Sequence, residues 1–170
     1  MGLFWSTEAS PLHESLLSNE RRCLRSGDLL LVSDSALDES VFGGDAAWSQ
    51  VAILVPYQGT LFAFHGEFES LDAYLGRWAR CVARPLDGAR DTHFDKALLY
   101  AANRAIGMLG RAGAVLPGQR TSFVVARVLH MLDYLDKDQL TAVWTPEQFS
   151  LPLSPYGPAF NVDPQTLRLK

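Results

Sequence analysis

The stretch Ala46-Ala47-Trp48-Ser49-Gln50-Val51-Ala52-Ile53-Leu54-Val55 decides how this chain folds. From Val51 to Val55 it is apolar without a break, the pattern of a strand sunk in a core. Gln50 stands at its mouth, where an amide taken out of water needs a hydrogen-bond partner or a cleft to face. Upstream, Gly27-Asp28 turns the chain into Leu29-Leu30-Leu31-Val32, a second short apolar strand. Residues 33–46, rich in Ser, Asp and Gly, read as the loop between the two strands. Downstream, Pro56 ends the strand and Gln58-Gly59 makes a hairpin turn into Leu61-Phe62-Ala63-Phe64-His65.

The same reasoning extends to both ends. Ser10-Pro11 is an N-cap followed by proline at the first helical position, so a helix is expected over residues 11–24, with Leu12, Leu16 and Leu17 on one face. A short helix is expected over Leu71–Trp78 and a strand over Cys81–Leu86. Thr92, with Asp95 three residues on, reads as a capping box for a helix carrying Leu98, Leu99, Ala102 and Ile106 inward. A glycine-rich loop at 110–118 leads to a strongly apolar helix over residues 121–132, and Thr145-Pro146-Glu147 opens a helical turn. Pro152, Pro155 and Pro158 enforce an extended path, after which the tail returns to the sheet. Hairpin connections and two packed helices give an α+β layer fold, an antiparallel sheet with helices against one face.

The length of 170 residues suits one domain with a core of its own. We divide it into an N-terminal helical segment (1–26), a core (27–150) and a Pro-rich tail (151–170). A net charge of −4 argues against a nucleic-acid partner held by a basic surface. The cluster Arg21, Arg22, Arg25 is short and runs at once into Asp28, as at a solvated helix end. Cys23 and Cys81 form no CxxC and read as free thiols in a cytoplasmic protein. No apolar run reaches the length of a membrane span. Met1-Gly2-Leu3-Phe4-Trp5-Ser6 fits the myristoylation pattern at Gly2, and one such chain gives only reversible, peripheral membrane attachment.

Few motifs carry chemistry by themselves. Gly107, Gly110, Gly113 and Gly118 lack the spacing of a phosphate-binding loop, and there is no HExxH. His65-Gly66-Glu67 offers two metal ligands without a third, so it reads as a turn. No metal or cofactor is expected. His13, His93 and His130 fall on expected helices, as structural histidines.

Three pieces in order carry a resemblance: Gly27-Asp28-Leu29-Leu30-Leu31, then Trp48-Ser49-Gln50-Val51-Ala52-Ile53, then Thr121-Ser122-Phe123-Val124-Val125-Ala126. Together they resemble the circularly permuted, papain-like hydrolases of the NlpC and YiiX type, which include lecithin–retinol acyltransferase-like enzymes. In that family a G-D-hydrophobic strand comes first, an S-H-V-[GA]-I strand carries the base, and a later C-S-E-hydrophobic-V helix carries the nucleophile. Thr145-Pro146-Glu147-Gln148-Phe149 resembles the family's T-P-x-[DE]-hydrophobic turn. The likeness spans residues 27–149 and implies a permuted papain-like fold.

Carried over by position, the base falls on Gln50, the nucleophile on Thr121 and the orienting group near His65. An amide has no site that takes a proton near neutral pH. A threonine hydroxyl is a poor nucleophile without an adjacent base. Phe123 replaces the family's acidic residue, a shift by one would make Ser122 the hydroxyl, and neither cysteine falls on a catalytic element. The resemblance therefore implies a catalytically inactive domain that binds a peptide, acyl or lipid ligand, or a protein partner, in a cleft lined by Trp48, Gln50, His65, Thr121 and Ser122. The alternative is an active amide or ester hydrolase, or acyltransferase, using Thr121 or Ser122 with His65 as base.

Overall fold

The computed structural model describes residues 24–34, 48–86, 90–109, 117–135, 137, 144–149 and 167–168. Gly2, the expected helix over 11–24 apart from Leu24, Cys23, most of the 33–46 loop and the Pro-rich stretch lie outside them. The elements are β1 (Leu29–Ser33), β2 (Gln50–Tyr57), β3 (Thr60–Phe64), β4 (Phe68–Ser70), α1 (Leu71–Gly76), β5 (Arg80–Arg84), α2 (Thr92–Leu109), α3 (Pro117–Met131), a 3-10 turn (Pro146–Phe149) and β6 (Leu167–Arg168).

The six strands form one antiparallel sheet in the order β4-β3-β2-β1-β5-β6. Edge strand β6 is formed by Leu167 and Arg168, with Leu167 pairing with Ala83. The unbroken apolar run has a simple cause: both faces of the sheet are covered. Leu29, Leu31, Val51, Ile53 and Val55 face α2 and α3, in a core with Leu98, Ala102, Val124 and Leu129. Leu30, Val32, Ala52 and Leu54 face the other way, onto Tyr74 and Leu75 of α1 and onto Trp78. Helices thus lie on both faces, not on one alone. Val51 to Val55 are all fully buried, and each Val, Ile or Leu so placed stabilises the fold by about 1.5–3 kcal/mol.

Several local expectations shift. β2 runs through Pro56 to Tyr57, with Pro56 opposite Leu61. The two-residue turn makes Tyr57 and Thr60 the last pair, so the Pro56 nitrogen points away from β3, beyond the last β1 partner at Ile53, and no ladder bond is lost. The N-cap of α2 is Asp91, whose Oδ1 accepts from Phe94 N at 2.8 Å. The expected capping box at Thr92 and Asp95 is therefore one residue late, and Asp95 instead accepts from the Ser26 hydroxyl. α3 starts at Pro117 rather than Thr121, four residues early, with proline at its first position.

The Gly27-Asp28 pair is a buried joint. Gly27 has φ +84° and donates to the Leu54 carbonyl at 2.7 Å. A Cβ there would sit 2.8 Å from Phe94 Cζ, so glycine is required both by conformation and by space. Asp28 is fully buried and accepts from Arg25 N (2.9 Å), Arg90 Nη1 (3.2 Å) and Leu86 N (3.4 Å). Arg90 also donates to the carbonyls of Ser26 and Leu86. This network ties the entry of β1 to the end of β5 and the start of α2. Burial pushes the Asp28 carboxyl above its ordinary range, against the pull of the Arg25 amide and Arg90.

Candidate functional site

Gln50 is the first residue of β2, opposite Val32 of β1. α3 crosses the adjoining end of β2, where Val51 N donates to Thr121 Oγ1 across 3.4 Å, a long hydrogen bond. The third wall is the loop between β3 and β4. His65 N donates to the Glu67 carbonyl at 3.3 Å and Gly66, at φ +115°, lets the chain reverse. A Cβ on Gly66 would meet Leu109 Cδ1 at 3.2 Å, so the loop lies directly against α2. The triplet is the turn its composition implied.

These elements enclose a cleft of about 340 Å³. Gln50, His65 and Thr121 all line it, together with Gly66, Glu67, Arg77 and Arg120. Three positions separated by up to 71 residues are thereby brought to one site. The other two expected lining residues lie elsewhere. Trp48 is buried in the core facing α2 and α3, with the Arg80 guanidinium 4.5 Å from its ring centre. Ser122 is fully buried and is not among the cleft's lining residues.

His65 is held on two sides. Its Nε2 is 3.1 Å from Glu69 Oε2, and its ring stacks on Tyr74 with centroids 5.2 Å apart. Arg77 Nη2 donates to the same Glu69 oxygen at 2.6 Å. Facing a carboxylate, Nε2 carries a proton and donates it to Glu69. Tyr74 is fully buried and burial pushes its phenol far above the ordinary range, so it serves as a protonated platform.

Residue spacing did not reveal Glu69, Arg77, Tyr74 or Arg120. The one usable signal was Glu69 four residues after His65 across a turn, which a hairpin places on the same side. Arg77 and Arg120 reach the cleft through tertiary contacts that no local pattern encodes.

The chemistry available is limited by these placements. Gln50 Oε1 is buried without a hydrogen-bond partner, so the amide is neither a base nor a satisfied structural group. Thr121 is the fifth residue of α3, past the first turn where a helix dipole acts on a side chain. Its hydroxyl oxygen already accepts from the β2 backbone. Among the described residues no group of three His, Cys, Asp or Glu is placed to hold a metal ion, and Cys81 is a buried thiol on β5. No described helix is long and apolar enough to cross a membrane.

No family model matches this chain, and no curated protein matches it. Among solved structures it is similar to the metalloprotein YiiX from Escherichia coli O157:H7, at 15% identity over 70% of this chain and 68% of that one, with a TM-score of 0.43. The likeness is distant.

Proposed function

We propose that this chain is a papain-like domain whose cleft binds a peptide, acyl or lipid ligand without turning it over, with Gln50 and Thr121 in the positions of base and nucleophile. Gln50 carries the reading. It lines the cleft with an amide that takes no proton near neutral pH, and its buried Oε1 has no donor within the protein, at a cost of roughly 1–3 kcal/mol. Thr121 and His65 are at the same time engaged by Val51 and Glu69, as residues that shape a pocket are.

One observation favours a second reading, an active hydrolase or acyltransferase. A carboxylate on one imidazole nitrogen is how a catalytic histidine is oriented, and His65 shares its cleft with Thr121. The two separate in an assay of ester, thioester and peptide substrates, with wild type beside Thr121→Ala, Ser122→Ala and His65→Ala. The binding reading predicts no turnover by any of the four, all folded by circular dichroism. Wild-type turnover that disappears in His65→Ala and in a hydroxyl variant would replace it with the second.

A further inference from the structure

Resting on the reading that this cleft binds, we infer that His65 switches the cleft's charge with pH. With the ring neutral the surrounding charges balance; a protonated ring makes the cleft net cationic, so an anionic ligand is favoured as pH falls. The charges around the ring are placed by the fold. Arg77 and Arg120 line the cleft as cations, and Glu67 lines it as a carboxylate. Glu69 is not a lining residue, but one of its oxygens bonds two that are: it accepts from Arg77 Nη2 at 2.6 Å and lies 3.1 Å from His65 Nε2. Two guanidinium groups thus stand against two carboxylates, and the imidazole decides the sign. Histidine is the side chain whose charge ordinarily changes between about pH 5 and 8.

Each element at the cleft bears on that proton. β4 supplies Glu69, the partner for an imidazolium, and the β3–β4 loop supplies Glu67. α1 supplies Tyr74, stacked on the ring, and Arg77 follows as its C-cap. Burial keeps the Tyr74 phenol protonated, so it adds no charge. α2 meets the loop through the apolar Leu109, β2 contributes the neutral Gln50, and α3 brings Arg120 beside the neutral Thr121. Arg77 holds the control, because it shares the Glu69 oxygen with His65. It repels a second proton on the ring and draws on the carboxylate that would favour one, so it sets the pH at which the switch turns. The His65 side chain is only 10% exposed, so a charge gained there is screened less than one on an open surface.

The test places a thiol in the cleft with Thr121→Cys and compares two alkylating agents, the anion iodoacetate and the neutral iodoacetamide. Modification is read at that residue by mass spectrometry, from about pH 8 down to about pH 5.5, across the range in which histidine titrates. Both reagents react with the same thiolate, so the ratio of their rates cancels the thiol's own titration and reports the charge of the cleft. The ratio of iodoacetate to iodoacetamide should rise about fivefold on acidification, the order expected of one unit charge across a partly solvated gap. It should stay flat when His65→Gln is added. Arg77→Gln, a change at a half-exposed side chain, should move the rise to higher pH, and Glu69→Gln should move it to lower pH. A ratio independent of pH, a rise that persists in His65→Gln, or a rise that Arg77→Gln leaves in place overturns the inference. No ligand is needed, so such a failure leaves the binding reading standing on its own turnover assay. Turnover in that assay would overturn the silent site and leave the switch intact.

Discussion

An amide oxygen buried without a donor loses its water and gains nothing in exchange, and Gln50 Oε1 is in that position. Replacing Gln50 with the unbranched, similarly sized methionine should raise stability by about 1 kcal/mol in urea denaturation while weakening ligand binding. A loss of stability would mean that the amide has a structural role. Gly27 makes the opposite case, since its backbone angle and the ring of Phe94 both exclude a side chain. Gly27→Ala should cost about 2–3 kcal/mol, seen as a lowered denaturation midpoint with unchanged slope. A cost below 0.5 kcal/mol, roughly that of an ordinary surface change, would show that the turn relaxes.

At the scale of elements, legibility followed locality. β1, β2, β3 and the hairpin turn at Gln58-Gly59 were readable because apolar runs bounded by turn residues need no distant partner to identify them. β4 was missed: three residues after a tight loop carry no period. The start of α3 was misread because Pro117 lies in a glycine-rich stretch, and composition outweighed the proline signal. That displacement matters, since it moves Thr121 a full turn into the helix. The sequence brought Gln50, His65 and Thr121 to one site, but the Glu69–Arg77 pair behind His65 depends on how β4 and α1 pack, which the order of residues does not reveal.

The Asp28 joint also belongs to this scale. Its carboxyl is raised by burial in the folded chain, so on raising the pH the unfolded chain releases that proton first. The group's contribution to stability is complete below about pH 4, near the ordinary carboxylate value, and is lost as pH rises through the folded value. Asp28→Asn cannot titrate. Wild type should therefore lose stability relative to Asp28→Asn between acid and neutral pH, measured by denaturation at several pH values. The reverse slope would mean that Arg90 and the backbone amides outweigh burial.

For the whole molecule, the sheet is sealed on both faces, and the described cleft with a buried unmatched acceptor opens at one end of β2, between α3 and the β3–β4 loop. Stability is thus supplied by β1, β2 and the helices packed on them, and the cleft lies at the edge of that core. We propose that Gln50 and Thr121 stand where a papain-like hydrolase keeps its base and nucleophile. The decisive experiment installs those groups: Thr121→Cys alone, and Thr121→Cys with Gln50→His, compared by the rate of iodoacetamide alkylation at neutral pH. An imidazole beside the introduced thiol lowers its pKa and raises the thiolate fraction. That thiol should be alkylated about tenfold faster in the double variant, with a lowered pH midpoint. Equal rates and equal midpoints in the two variants would contradict it.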